Sequence, residues 1–135
     1  MKLTLTHRVA LPFGLFLFFL LFPYIAFAQV PTVTTQAVTD ITTTTATGNG
    51  NITDLGIVPP NPTAHGVCWN TGGTPTTDDS LTNEGAVSAT DAFTSTITVL
   101  SPNTTYYVRA YATNTAGTSY GNQVSSKQSR NHRKC

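Results

Sequence analysis

The chain has 135 residues, of which 39% are hydrophobic and only 10% charged, with a formal net charge of +1. A chain of that length holds one small domain. The averages conceal three unlike segments: six of the seven Phe residues lie in the first 28 positions, and Arg109 is the only basic residue between Arg8 and Lys127, against six acids, which leaves the middle at −5. A body of that sign offers nucleic acid no electrostatic footprint, and its 98 residues fall short of most enzyme scaffolds.

Residues 1–8 carry two positive charges, and Val9 to Phe22 follow for fourteen residues without a charge or a hydrogen-bonding side chain. Pro23 then breaks any helix, and Ala26-Phe27-Ala28 places small residues where a signal peptidase reads them. The pattern predicts a cleaved export signal over 1–28 and a mature start at Gln29. The competing reading is an uncleaved anchor, because Val9 to Ala28 is 20 residues and just spans hydrocarbon. Pro12, Gly14 and Pro23 interrupt that run and favour cleavage. No Cys stands at the cleavage point, so a lipid anchor is not indicated. Cys68 and Cys135 are the only cysteines, and their spacing points to no disulfide. Within Gly66-Val67-Cys68-Trp69, Cys68 reads as a small buried hydrophobe.

From Pro31 to Ser126 there are 25 Thr among many Val, Ile and Tyr, with hardly any Leu, Lys or Glu, so strands are expected and long helices are not. Turn residues recur at Gly48-Asn49-Gly50, Pro59-Pro60-Asn61-Pro62, Gly72-Gly73-Thr74-Pro75, Asp78-Asp79, Asn83-Glu84-Gly85, Ser101-Pro102-Asn103 and Asn114-Thr115-Ala116-Gly117. The strands between them are expected near 32–38, 42–48, 63–70, 84–89, 92–99, 105–113 and 118–125. Seven short strands at this spacing make an antiparallel sandwich.

In Phe93-Thr94-Ser95-Thr96-Ile97-Thr98 the even positions are all Thr, so Phe93 and Ile97 face the core. In the run from Tyr106 to Thr113 the even set (Tyr106, Val108, Ala110, Ala112) reads as the inner face. Its alanines leave room for a large residue from the opposite sheet, with Trp69 and Val67 the candidates. The expected core is Trp69, Phe93, Ile97, Leu100, Tyr106 and Val108.

The run Leu100-Ser-Pro102-Asn-Thr104-Thr-Tyr106-Tyr-Val108-Arg-Ala110-Tyr-Ala112-Thr-Asn114, with Gly117 after it, resembles the E–F corner and F strand of fibronectin type III domains, L-x-P-x-T-x-Y-x-V-x-V-x-A-x-N then Gly. Only Ala110 departs from that pattern. Residues 31–126 as a whole, including TTTTATGNGNI and HGVCWNTGGTPT, are similar to the Thr-rich fibronectin-III-like repeats of large exported bacterial surface proteins. The resemblance implies an all-β, seven-stranded antiparallel immunoglobulin-like (fibronectin type III-like) β-sandwich after an N-terminal signal peptide. It also implies a buried Tyr106 whose hydroxyl bonds back to the turn backbone. Animal members usually carry the core Trp on strand B, whereas Trp69 falls on the third strand.

No constellation carries catalysis. His7, His65 and His132 lie far apart, His65 reads as a strand-edge or surface residue, and no phosphate loop precedes a helix. Asp54, Asp78, Asp79 and Glu84 match no calcium-loop spacing and read as solvated loop acids. No catalytic, cofactor or metal residue is therefore assigned. Tyr107, Arg109 and Tyr111 share the outer face of the F strand. They either pair with cross-strand Thr neighbours or form a platform that stacks a sugar ring or meets a partner domain. Lys127 to Cys135 carry four positive charges and no Ala, Val, Leu, Ile, Met, Phe, Tyr or Trp, and are expected to be a disordered tail.

The expected organisation is thus a signal peptide at 1–28, a sandwich at 29–126 and a basic tail at 127–135. The expected role is a non-catalytic secreted, cell-surface or periplasmic module that serves as spacer, adhesion or protein/glycan-contact unit. Nucleic acid is excluded as a partner, and the membrane is met only through the leader. The competing expectation is a carbohydrate-binding accessory module of an exported polysaccharide-degrading system, or a fragment of a larger surface protein.

Overall fold

Thr, Val, Ile and Tyr favour the pleated sheet, and they form eight strands and no helix in a computed structural model that describes residues 27–57 and 61–131. The expected leader and the last four residues, Cys135 among them, lie outside the described residues, apart from Phe27 and Ala28. The strands are β1 (Thr32–Thr39), β2 (Ala46–Asp54), β3 (Ala64–Asn70), β4 (Ser80–Leu81), β5 (Ala92–Ile97), β6 (Thr105–Asn114), β7 (Gly117–Tyr120) and β8 (Val124–Lys127). One sheet has the order β1-β2-β5. The other runs β4-β3-β6-β7, with β8 also on β6, and every pairing is antiparallel.

β7 and β8 are two halves of one edge strand, since β7 pairs with Tyr111–Asn114 and β8 with Thr105–Val108. Between them Gly121 donates its N–H to the Ala110 carbonyl at 2.9 Å. The Ala110 N–H is taken at 2.9 Å by Oγ1 of Thr35, a buried residue of β1 in the other sheet. A Cβ at position 121 would collide with the Thr35 backbone and hydroxyl, so glycine is what admits this cross-sheet contact.

The core has two parts. Ala46, Val67, Ile97, Leu100 and Val108 form one, with Val38, Trp69, Phe93, Tyr106 and Val124 packed on it. Val33, Ile52, Ala110 and Ala112 form the other, joined by Leu55, Val87 and again Phe93. Trp69 does not fill the space over the alanines: it lies in the same sheet as they do, opposite Val108, and is half-buried. That space is taken by Val33, Ile52 and Phe93 from the other sheet.

Two expected strands move. The one placed at 42–48 runs from Ala46 to Asp54, straight through Gly48-Asn49-Gly50. Those glycines serve close packing rather than a turn, because a Cβ at Gly48 would stand 2.8 Å from Val67 and one at Gly50 would strike Phe93. The segment 84–89 joins no ladder. It crosses from one sheet to the other, held by Glu84 N–H to the His65 carbonyl at 2.8 Å and Val87 N–H to the Pro62 carbonyl at 3.1 Å.

The ends of the described chain lie at opposite poles. At one pole, the carbonyl of Gln29 accepts from Asn114 Nδ2 at 2.8 Å beside the β6–β7 turn. At the other, Ser129 N–H donates to Thr42 at 2.9 Å and Arg130 Nε to Asn103 Oδ1 at 3.0 Å. The expected boundary at Ser126 falls inside β8. Gln128 is 2% exposed, and in the amide orientation that satisfies both of its polar atoms it donates to the Thr42 and Thr45 carbonyls at 2.9 and 3.2 Å, so the ordered fold includes the first residues assigned to a disordered tail.

The corner before β6 has the hydroxyl bond that the resemblance implied, although Tyr106 is half-buried rather than buried. Asn103 takes the left-handed conformation (φ 57°), Leu100 is buried, and the Tyr106 hydroxyl accepts the Ser101 N–H at 3.0 Å. Tyr106→Phe is expected to lower stability by about 1 kcal/mol by leaving that donor without its partner. Urea denaturation checks this, and equal midpoints for variant and parent would remove the corner as a stabilising element.

Candidate contact face

Register places the residues singled out in β6. Opposite partners in an antiparallel ladder point to the same side, so Tyr107, Arg109 and Tyr111 share the outer face of their sheet with Asn70, Cys68 and Gly66 of β3 and with Tyr120 of β7. The expectation that all three form an exposed row fails at Tyr111, which is 2% exposed. Its hydroxyl donates to the Thr82 carbonyl at 2.7 Å, and the chain after β4 closes over its ring. Gly66 is needed beneath, since a Cβ there would meet the Thr82 carbonyl.

The β3–β4 connection forms the rest of this roof. Asn70 closes it, with Oδ1 accepting from Gly73 N–H at 2.8 Å and Nδ2 donating to the Gly73 carbonyl at 3.2 Å and to Asp79 Oδ2 at 3.1 Å. Asp79 also accepts the Thr76 N–H at 2.9 Å. Pro75 is buried, Thr74 N–H bonds Gln123 Oε1, and Thr77 N–H donates to the Tyr120 hydroxyl at 3.1 Å. Asp79 is thus a turn-closing acceptor rather than a solvated acid. Asp54 and Asp91 do similar work, accepting the N–H of Gly56 and of Ala92 at 2.7 Å.

Arg109 is the body's only cation between Arg8 and Lys127, and it is used internally. Its Nε donates to the Gly121 carbonyl at 2.9 Å and its guanidinium lies 4.7 Å from the centroid of the Tyr120 ring. Tyr107 is the member of the trio left at the rim, half-buried at the edge of the roof beside Gly73. Of the three residues singled out, Tyr107 and Arg109 therefore lie at the rim, and Tyr111 lies beneath the roof.

Sequence reasoning misplaced His65. It lies on the inner face, 8% exposed, with Nδ1 2.8 Å from the Gly85 carbonyl and its ring edge-on to Phe93 at 4.8 Å between centroids. The signal was available, because His65 shares parity with Val67 and Trp69, both read as inward. Among the described residues no three His, Cys, Asp or Glu side chains come together as metal ligands.

Cys68 is fully buried under the same roof, its thiol donating to the Arg109 carbonyl at 3.5 Å. Burial pushes the thiol up from 9.0 to about 11, with the Arg109 charge opposing this only in part. Burial also raises the Tyr111 hydroxyl. Both groups favour the neutral form in the folded protein, so the native state holds their protons where the unfolded chain has released them. Stability from Cys68 is complete below pH 9.0 and lost as pH rises towards about 11. Urea unfolding over that range is expected to show this decline, and Cys68→Ala to flatten it while leaving the contribution of Tyr111. An unchanged slope in the variant would contradict the assignment.

No protein-family model matches the chain, and no curated protein sequence matches it. Solved structures do. The sensor domain of the anti-sigma factor RsgI4 of Pseudobacteroides cellulosolvens, in its solution structure, is 18% identical over 78% of this chain and 80% of its own, with a TM-score of 0.56. Another structure of that sensor domain gives 17% identity, 78% and 96% coverage and a TM-score of 0.53. A fibronectin type III domain from the human KIAA0970 protein is also similar, at 12% identity, 76% and 77% coverage and a TM-score of 0.49. The strand order β1-β2-β5 packed on β4-β3-β6-β7/β8, together with the likeness to the RsgI4 sensor domain, makes the chain an all-β antiparallel sandwich.

Proposed function

We propose that this protein is an exported, non-catalytic module that acts outside the cytoplasm as a spacer and contact unit. The observation that carries the reading is the pole-to-pole path of the chain. It enters at Gln29 beside the C-terminal end of β6 and leaves past Ser129 beside the N-terminal end of that strand. A ten-residue strand separates the poles by roughly 30 Å. A domain so threaded keeps whatever is joined after Ser129 a domain length away from a partner met at the opposite pole. The Asx and Thr groups that close its loops act on their own turns, which leaves the sheet rim as the place for a partner.

Export rests on the leader pattern and on its agreement with the fold. Gln29, the residue expected to follow cleavage, is the first of the described residues whose backbone bonds to the sandwich, and Phe27 before it is 80% exposed. Mass spectrometry of the protein recovered outside the cytoplasm is expected to give Gln29 as the N-terminus. Recovery with Met1 in place would overturn cleavage.

The contact reading places a protein or glycan partner at the rim around Tyr107 and Arg109. The similar sandwich in the anti-sigma factor RsgI4 is a sensor domain, which is compatible with a contact unit here. The competing reading, a carbohydrate-binding accessory module, is favoured by the half-exposed Tyr107 ring beside the side-chain-free Gly73. A glycan array and pull-down on insoluble polysaccharide separate the two. Tyr107→Ala is expected to weaken glycan binding about three- to tenfold with stability unchanged, whereas Tyr111→Phe lowers stability and leaves binding intact. Absence of binding by the parent protein ends the carbohydrate reading.

A further inference from the structure

Four sheet edges are open in a sandwich of this topology, and three carry a device that blocks pairing with another chain. β1 begins just after Pro31 and shifts register between Gln36 and Thr39; β4 is two residues long; and the β7/β8 edge is broken at Gly121–Gln123. The remaining edge, β5, has none of these. It runs from Ala92 to Ile97 in unbroken register with β2, and Ala92 to Leu100 contain no charge, proline or glycine. Such a strand is a template for another.

Its hydrogen-bond phase is set by Ile52 N–H, which donates to the Asp91 carbonyl at 3.0 Å. Bonded pairs alternate along an antiparallel ladder, so Phe93, Ser95 and Ile97 exchange bonds with β2. The N–H and C=O groups of Thr94 and Thr96 therefore point to the free edge, and both residues are exposed. Ser95 between them faces the core at 2% exposure, and its Oγ has no hydrogen-bond partner. A buried hydroxyl without a partner is unusual, and among the described residues only Ser119 Oγ of β7 shares that state.

We infer that β5 pairs antiparallel with β5 of a second copy of this chain, about a two-fold axis through Ser95, joining two three-stranded sheets into one. In that register Thr94 and Thr96 of each copy exchange backbone bonds with Thr96 and Thr94 of the other. The outward main-chain groups are the ones in phase to do so. Ser95 then faces its own counterpart across a non-hydrogen-bonded position, where side chains approach most closely, and the two orphan hydroxyls become each other's partners. Phe93 meets Ile97 of the second copy, and Asp91 lies opposite Val99 rather than another carboxylate. A second copy is the occupant that satisfies all of this at once, because only a two-fold places Ser95 against Ser95. The strand is short and the area small, so the association is weak and concentration-dependent.

Sedimentation velocity of the purified chain from about 5 μM to about 1 mM tests this. The expected result is a reversible monomer–dimer equilibrium. Thr94→Pro removes an outward N–H at an edge position that tolerates proline, and is expected to weaken the dimer at least about tenfold without shifting the urea midpoint of the monomer. Hydrogen exchange gives a reading without substitution: the Thr94 and Thr96 amides slow as concentration rises, while the amides of Phe93 and Ile97 do not change. A parent chain that stays monomeric at about 1 mM, a Thr94→Pro chain that dimerises as strongly, or exchange at Thr94 and Thr96 independent of concentration would each overturn the pairing.

Discussion

The approach of β2 to the facing sheet is the constraint on which the rest of the structure depends. Beyond Ala28 the chain has one Phe and one Trp, so it cannot fill a sandwich with bulk. It brings the layers together instead. Gly48 receives the Val67 side chain and Gly50 that of Phe93, while β6 presents Ala110 and Ala112 to the same space. Close packing at native density then comes from small residues and a few well-placed large ones. Phe93 alone touches both parts of the core and takes the edge of His65, so that histidine is a packing element, held in place by the Gly85 carbonyl.

Thin layers leave polar groups near the core, and the abundance of Thr follows from that. Threonine has a branched side chain that suits a strand, little volume, and a hydroxyl that can replace a missing ladder bond. Thr35 does this for Ala110 where the edge strand breaks, and Asn49 does it for Ala37, taking the carbonyl at 2.8 Å across the β1 bulge. Gln128 ties the chain after β8 to the β1–β2 turn through Thr42 and Thr45. The sandwich is closed as much by these single side chains as by its ladders, which is why its final residues belong to the fold despite their polar composition.

How legible this was depended on whether a residue type has one use or two. Strict alternation in β5 and β6 has a single reading, and Ile97, Leu100, Val108 and Ala110 are buried as it required. The corner before β6 was equally clear, because Leu100, Pro102, Asn103 and Tyr106 each fill a role that few residues can. Glycine has two uses, and Gly48-Asn49-Gly50 read as a turn although it is the packing centre of a strand. The outer face of β6 was legible in register but not in exposure. Whether Tyr111 meets water depends on where residues 70–84 fold, and nothing within β6 encodes that. For the same reason composition marked Lys127 and Gln128 as tail, since a strand end fixed by partners more than twenty residues away has no local apolar signature.

The same economy bears on how such a domain can meet others. Asp54, Asp79 and Asp91 are engaged in closing turns, its one central cation stacks on Tyr120, and the roof over β3 and β6 seals Tyr111 and Cys68. Side-chain chemistry available to a partner is thereby reduced to the rim at Tyr107, the carboxylates of Asp40, Asp78 and Glu84, and uncharged Thr faces. Main-chain groups are the other resource that a sheet has, and they are unspent only where an edge has no bulge, proline or break. Recognition through a backbone edge needs register and shape but no distinctive side chain. A chain that commits its polar residues to its own closure therefore keeps its capacity for contact in the one strand that it leaves regular.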